Sequence, residues 1–598
     1  MIPRLQAQWA RVPEEARRLA VVALALALLV VWMHRPAFDA DAIVGAAGTD
    51  TLRAAWGFDH TARSLPFAPW WTNRVGFPAG VKLLVLPTVS TLLGAPLRVF
   101  GPILGYNLWV LGMLWASGVA TAWLALRASG SAAGGLIAGV AMVLQPITLV
   151  ALSDGTVEHV AVWALPASIA AFWGLRRAGD GAGDDGADAK RRRDLAAVAA
   201  GVLTTICALD SPYNAVFCLP FLAIAAPRVP LRALVVYAAV CAVGLAVVAV
   251  AYVGLPVTAS DDRRAENAIR VDAWLQWERG RERPWDFTFS PTFVPIAGVL
   301  GALVFTVGRP LRALPWVAVA LACLVFGLGP GDENPKVLGT LAGDAGRSIG
   351  ESLAWFNQTF PTPVVRFPRR WLTPFALALA VAAAIGLSRV PWRVARGVMG
   401  LAAALAYVVV SVRLLRIDEA YPRHAPARPA FAAWVQQDRA WGATLSLPRI
   451  RASSVVSQRR EDLPVFASLG DTLRSSDMVW LQVLYGRAAV SAPVGLRTMV
   501  PKAVTNPEIA TLLRDLDDLS KPRTSGEPIP PSATQEPDRR AKAARALVER
   551  GLAFVILDEA AYAGEAQALA RLPFADMIEE ERHFDDGSGV TVWKLDAR

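Results

Sequence analysis

Residues 38–80 read FDADAIVGAAGTDTLRAAWGFDHTARSLPFAPWWTNRVGFPAG, shortly after an apolar run, LAVVALALALLVVWM, at 19–33. The run follows a basic leader with Arg11, Arg17 and Arg18. A cleavable signal peptide needs a small-residue site behind its apolar core. Here the run ends in Trp32-Met33-His34-Arg35-Pro36, so it is expected to stay as a first membrane helix. The stretch after it is rich in carboxylates and tryptophans. A membrane helix that opens into an acid-rich outside loop sets the frame for the rest of the chain.

Working outward, the composition agrees with that frame. The 598 residues are 54% hydrophobic and 18% charged, against roughly 25% charged in soluble domains, and the mean hydropathy is +0.39. These values exclude a disordered chain and a wholly soluble protein. Further apolar stretches near bilayer length, about 20 residues, lie at 104–126, 132–152, 157–175, 195–209, 212–226, 231–253, 292–308, 313–328, 371–388 and 394–414. The 84–101 stretch, LVLPTVSTLLGAPLRVFG, is apolar but broken by Pro87, Gly94 and Pro96.

Charge decides how these stretches thread the bilayer. With a cytoplasmic N-terminus and 84–101 not crossing, several basic loops fall inside. They hold Arg127, Arg176-Arg177, Lys190 to Arg193, Arg228 and Arg232, Arg309 and Arg312, and Arg389, Arg393 and Arg396. The positive-inside rule asks for that pattern. The fold class expected is therefore mainly α. A polytopic helical membrane domain of about 11 spans covers 1–414, with outside loops at 34–83, 254–291 and 329–370. A C-terminal extracytoplasmic α/β domain covers 415–598. Its candidate strands are Thr444–Leu447, Ala488–Val490, Phe554–Leu557 and Val590–Leu595, and its helical patterns are 506–518 and 538–550. Strands alternating with helices give an α/β domain.

The net charge is +10 and the pI about 9.7. Because the cations sit in short loops and not along one polar face, they speak for membrane topology and against nucleic-acid binding. Cys207, Cys218, Cys241 and Cys323 fall inside apolar stretches without metal-ligand spacing, which excludes a disulfide framework and a zinc site.

Several outside constellations carry chemistry. In the first loop, Asp50 follows Gly-Thr in a small-residue stretch that leaves room for a substrate. A carboxylate there can take the proton of an attacking hydroxyl. Asp39 and Asp41 form a D-x-D, a weak candidate for a divalent cation on a sugar phosphate, and nothing in the sequence requires that metal. Asp154, Glu158 and His159 lie at the outside turn between two spans. Ionisable groups entering a span face a polar cavity or a partner. Alternatively, Asp154 or Thr156 caps the next helix with Glu158 in its first turn. Asp210, before Ser211-Pro212, is expected to cap a helix. Trp274, Trp277 and Trp285 are expected as interface anchors, with stacking on a sugar or packing of a prenyl chain as the alternative. Arg366, Arg369 and Arg370, outside and against the positive-inside trend, can grip a phosphate.

The order of motifs resembles the GT-C superfamily of membrane glycosyltransferases, in particular its YfhO-like and mannosyltransferase-like bacterial members. The motifs are Gly48-Thr49-Asp50 with Trp56, Phe77-Pro78-Ala79-Gly80, Tyr106-Asn107, and Ala128-Ser129-Gly130-Ser131. After them come Arg366-Phe367-Pro368-Arg369 and then Met478, Gln482 and Tyr485-Gly486-Arg487. The resemblance implies inverting transfer of a sugar from a polyprenyl-phosphate donor to a glycan, lipid or protein acceptor. The reaction would take place on the outer face of a bacterial inner membrane. It gives Asp50 the role of base, with Asp154 and Glu158 matching by location, and places His159, Arg366, Arg369, Arg370 and Trp56 on the substrate. The commonest superfamily pattern pairs Asp with Glu in the first loop; here Asp50 is followed by Thr51, which leaves metal dependence open. Two rival functions stand beside this one: a flippase of a lipid-linked saccharide, and a non-catalytic envelope scaffold.

Overall fold

The computed structural model describes residues 13–46, 49–65, 71–72, 81–180, 187–253, 310–329, 333–359, 368–390, 392–415, 423–426, 428–438, 442–447, 480, 482–484, 487, 497–499, 506–520, 528–559, 561–562, 564–586 and 589–596. The 292–308 stretch, Arg366, the tryptophans of the 254–291 loop and the expected strand Ala488–Val490 lie outside them. The chain forms two compact units, one of residues 1–38, 86–93 and 107–422, the other of residues 39–85, 94–106 and 423–598.

The first unit is helical. Among the described residues, four helical stretches are long and apolar enough to cross a membrane: Glu14–Met33, Pro102–Ser129, Ala132–Asp154 and Leu231–Tyr252. Leu372–Leu387 is shorter, and every residue in it except Leu379 is buried. A helix apolar all round belongs at a core, and this one occupies the centre of the unit. Small residues let its neighbours approach, as in membrane bundles generally. A Cβ added at Gly134 would lie 2.9 Å from Ala384 Cβ, and one at Gly139 would lie 3.0 Å from the Gly118 carbonyl oxygen. At one end, Trp371 packs on Phe217 and Phe326 with centroids 4.8 and 4.7 Å apart.

Local chemistry redraws several expected spans. The 132–152 stretch is two helices, Ala132–Leu144 and Pro146–Asp154, because Gln145 is extended ahead of Pro146, as sterics before proline demand. The 157–175 stretch becomes a helix only at Ala164. Its first residues, Val157–His159, form a 3₁₀ turn behind a left-handed Gly155 (φ 71°). Asp154 ends a helix, while Thr156 stands at the N-cap position of that turn, without a side-chain capping bond, and Glu158 lies in the turn. The 84–101 stretch gives a short helix, Thr88–Gly94, and a 3₁₀ turn, Ala95–Phe100.

The second unit carries a four-stranded sheet in the order Ala443–Leu447, Leu552–Asp558, Val590–Leu595, Ile578–Phe584. The first pair is parallel and the other two pairings antiparallel. Leu552–Asp558 is buried along its length, as a strand covered on both faces must be. Helices Pro507–Asp518 and Pro537–Glu549 cover one face through Leu512, Leu547 and Trp593. Ala430–Gln437 covers the other through Phe431, Val435 and Phe554. Ile578–Phe584 is the edge, and its Glu-Glu-Glu-Arg-His run is exposed, a charged edge that resists further pairing. Residues of the 34–83 loop add short strands to the tail: Ile43–Val44 pairs with Arg423–His424, and Val81–Leu84 with Arg497–Met499.

Candidate functional site

In the second unit, Asp50 stands immediately before the Thr51–Ser64 helix. Its side chain is about half exposed (49%), makes no side-chain capping bond, and pairs with Arg53 Nη1 at 3.0 Å. Its carboxylate is thus accessible and held at one side by a cation. Asp39 and Asp41 each meet an arginine of the tail, Arg423 at 3.2 Å and Arg428 at 3.0 Å. A divalent cation on that D-x-D would have to displace both guanidinium groups. Among the described residues no cluster of three or more His, Cys, Asp or Glu side chains is placed to hold a metal.

Much of the Thr51–Ser64 helix is buried, from Ala55 through Thr61. Trp56 is fully buried, stacks on His60 at 5.0 Å, and donates its indole N–H to Gln482 Oε1 at 2.5 Å. Gln482 Nε2 donates in turn to the Arg487 carbonyl at 2.8 Å. The Arg487 guanidinium donates to the carbonyls of Val435 and Asp438 and lies 4.6 Å over the Phe554 ring. Burial pushes its pKa below the usual arginine range, against the opposing charge of Asp438. Trp56 and the Gln482–Arg487 motif therefore join loop to tail. Asp59 had no part in the sequence reading. It is fully buried and accepts from Arg63 Nε at 2.8 Å and from Arg98 Nε.

In the first unit, a polar cluster gathers at the head of the Leu372–Leu387 helix. Arg370 Nη2 meets Glu158 Oε1 at 3.3 Å, with side chains only 10% and 19% exposed, and the guanidinium lies 4.6 Å over the Tyr213 ring. His159 is buried in the same turn as Glu158, and Asp154 ends the helix before it. Arg369 shares the Pro368–Trp371 turn. Of the residues predicted from sequence, the structure brings Glu158 and Arg370 together. Tyr213 completes the pair, unsignalled except by its place beside the 210–211 turn.

Asp210 is also corrected. Rather than capping the Pro212–Ala225 helix that follows it, it accepts from the first-turn Ser90 N of the Thr88–Gly94 helix at 2.9 Å and from Ser90 Oγ at 2.6 Å, which ties the 84–101 stretch to the end of the Ala187–Asp210 helix. Ser90 Oγ accepts from Trp163 Nε1 and the Ser90 carbonyl from Trp109 Nε1, both at 2.8 Å. Among the described residues, the buried Ser211 hydroxyl and both polar atoms of the buried Asn214 amide find no hydrogen-bond partner. Buried polar groups are rarely left so, and these lie beside Tyr213 in sequence.

The helical unit holds stretches long and apolar enough to cross a membrane, and the fold is GT-C-like, as a solved structure shows. No protein-family model and no curated protein sequence matches the chain. Solved structures do. Arabinofuranosyltransferase AftD from Mycobacteria aligns over 97% of this chain at 17% identity and a TM-score of 0.51. The alignment covers 42% of AftD, so the chain spans less than half of that protein's length. ArnT from Cupriavidus metallidurans aligns over 97% of this chain and 98% of its own, at 13% identity and a TM-score of 0.47. The oligosaccharyltransferase AglB from Archaeoglobus fulgidus aligns over 97% and 74%, at 13% and 0.41.

Proposed function

We propose that this chain is an inverting glycosyltransferase that moves a sugar from a polyprenyl-phosphate donor to a cell-envelope acceptor at the extracytoplasmic face. The observation that carries the proposal is the fold shared with an arabinofuranosyltransferase along 97% of the chain. The accessible Asp50 and the Glu158–Arg370 pair at the head of a buried helix support it. The acceptor oxygen attacks the anomeric carbon from the side opposite the phosphate. A new C–O bond forms as the bond to the phosphate oxygen breaks, and the hydroxyl proton passes to Asp50. Negative charge then gathers on the lipid phosphate, where Arg366, Arg369 and Arg370 stabilise it. Electrostatic stabilisation of this kind is commonly the largest contribution to catalysis. Glu158 holds Arg370 in place over Tyr213 until phosphate takes over its guanidinium. The N-terminus is cytoplasmic, and the tail is on the side of Asp50.

The test is transfer in purified membranes from a panel of radiolabelled polyprenyl-phosphate sugars, with wild type, Asp50→Asn and Glu158→Gln compared at equal expression. Loss of a catalytic base removes about 10²–10⁴ in rate, and Asp50→Asn is expected within that range. Glu158→Gln is expected to weaken donor use and spare the acceptor dependence. Equal transfer by wild type and Asp50→Asn would move the base to Asp154 or Glu158. No transfer from any donor would overturn the enzyme in favour of a flippase or a scaffold.

A further inference from the structure

The helices Ala187–Asp210 and Leu231–Tyr252 form a groove that shares no residue with the sugar-transfer cluster. Its walls are set by close packing. A Cβ added at Gly244 would lie 1.9 Å from Thr205 Oγ1, and one at Gly201 would lie 2.8 Å from Val240 Cβ. Side chains this small let two helices meet closely in a bilayer. The Thr204 hydroxyl and the Tyr237 hydroxyl are 3.1 Å apart across the contact.

At one end the groove widens to about 460 Å³, lined by Lys190, Arg191, Asp194, Leu195, Val198 and Arg232. Three cations face one carboxylate. Arg232 holds that carboxylate with two bonds, at 3.1 and 2.6 Å, and the Asp194 pKa falls below its usual range chiefly through this pairing. Lys190 and Arg191 are exposed. Further along the same wall, Leu195 and Val198 are exposed at 59% and 38%, and Leu231 and Val235 of the partner helix at 76% and 58%.

We propose that this groove binds an anionic diacyl phospholipid. The headgroup phosphate sits on Lys190, Arg191 and Arg232, and an acyl chain lies along Leu195 and Val198. Basic pockets between membrane helices recognise anionic headgroups. The order of the lining, cations first and then apolar side chains one helical turn on, matches an amphiphile, whereas a free phosphate would use the cations alone. The proposal does not depend on the sugar-transfer chemistry.

The test uses the full chain in neutral detergent. Native mass spectrometry would compare binding of phosphatidylglycerol with phosphatidylcholine of the same acyl chains. Wild type is expected to prefer phosphatidylglycerol at least tenfold. The variant Lys190→Gln/Arg191→Gln/Arg232→Gln should lose that preference, since three cations near an anionic headgroup are together worth roughly a hundredfold. Asp194→Asn, nearly isosteric, should tighten phosphatidylglycerol several-fold, which a merely damaged fold would not do. The control Arg312→Gln/Arg393→Gln should keep the wild-type preference. No preference in wild type, an equal loss in the control, or full displacement of the lipid by millimolar inorganic phosphate would each overturn the proposal.

Discussion

Asp59 shows how a single buried side chain can hold the first loop together. Its carboxylate is fully buried and is met by Arg63 from one turn onward in its own helix and by Arg98 from 39 residues away. Removing one partner of a buried ion pair leaves the others uncompensated, at a cost of about 3–5 kcal/mol. Arg63 and Arg98 reach solvent, at 41% and 28% side-chain exposure, so screening lowers the expected cost of Asp59→Ala below that range, to about 2–3 kcal/mol. Thermal melting of the detergent-solubilised chain checks it, with Arg63→Ala expected to change the midpoint much less. Ser90 is the matching residue in the helical unit, where it serves Asp210, Trp163 and Trp109 at once. Ser90→Ala removes the hydroxyl and leaves the Trp163 indole and one Asp210 oxygen without it. A buried polar group stripped of its partner costs about 1–3 kcal/mol, which the same melting series would read.

At the scale of elements, the edge hairpin Ile578–Phe584 and Val590–Leu595 carries a pH-sensitive triplet. His583 and Thr591 are cross-strand partners; Glu559 accepts from His583 Nδ1 at 2.8 Å and from the Thr591 hydroxyl. The bond to Glu559 raises the His583 pKa above its ordinary 6.5. Burial works the other way on Glu559, yet the bonds from His583 and Thr591 hold it below its ordinary 4.5. A raised histidine stabilises fully below 6.5 and loses its effect as pH rises through the folded value. A lowered glutamate stabilises above 4.5 and loses its effect as pH falls through the folded value. The two act together between 4.5 and 6.5. The melting midpoint of wild type minus that of His583→Gln should therefore peak near the middle of that window and shrink by about pH 8.

The elements also show what the sequence makes legible. Leu552–Asp558 and Val590–Leu595 announce themselves through local runs of β-branched and aromatic residues, and Glu14–Met33 through unbroken apolarity. The joints do not, because they depend on partners far away in the chain. Trp56 reaches Gln482 across 426 positions and Asp210 reaches Ser90 across 120. A buried aspartate between two apolar stretches was the available signal for Asp210, and the nearby Pro212 offered a cheaper local explanation. Arg370 and Glu158, 212 positions apart, were legible singly because charge at a membrane boundary is costly, but not as a pair.

At the scale of the whole molecule, the composition of the second unit constrains the threading. Residues 39–85, 94–106 and 423–598 belong to one compact unit, which the proposed topology keeps on the outer face. The intervening 86–93 is too short to cross: at about 1.5 Å per residue it covers about 12 Å of a core about 30 Å thick. Under that topology the chain is expected to cross an even number of times between 107 and 422, a parity met by the ten spans expected there from hydropathy. With one helix before residue 39, the proposed topology puts the N-terminus on the opposite face from the tail, and the Lys190–Arg193 run on the same face as the N-terminus. In a cysteine-free background, single cysteines at Asp41 and Asp585 should react with a membrane-impermeant maleimide added to intact cells. One at Arg191 should react only after the membrane is opened. Labelling of Asp41→Cys without Asp585→Cys would break the parity and separate Asp50 from the tail. Labelling of Arg191→Cys in intact cells would invert the helices after residue 107 and turn the anionic-lipid groove to the outer leaflet.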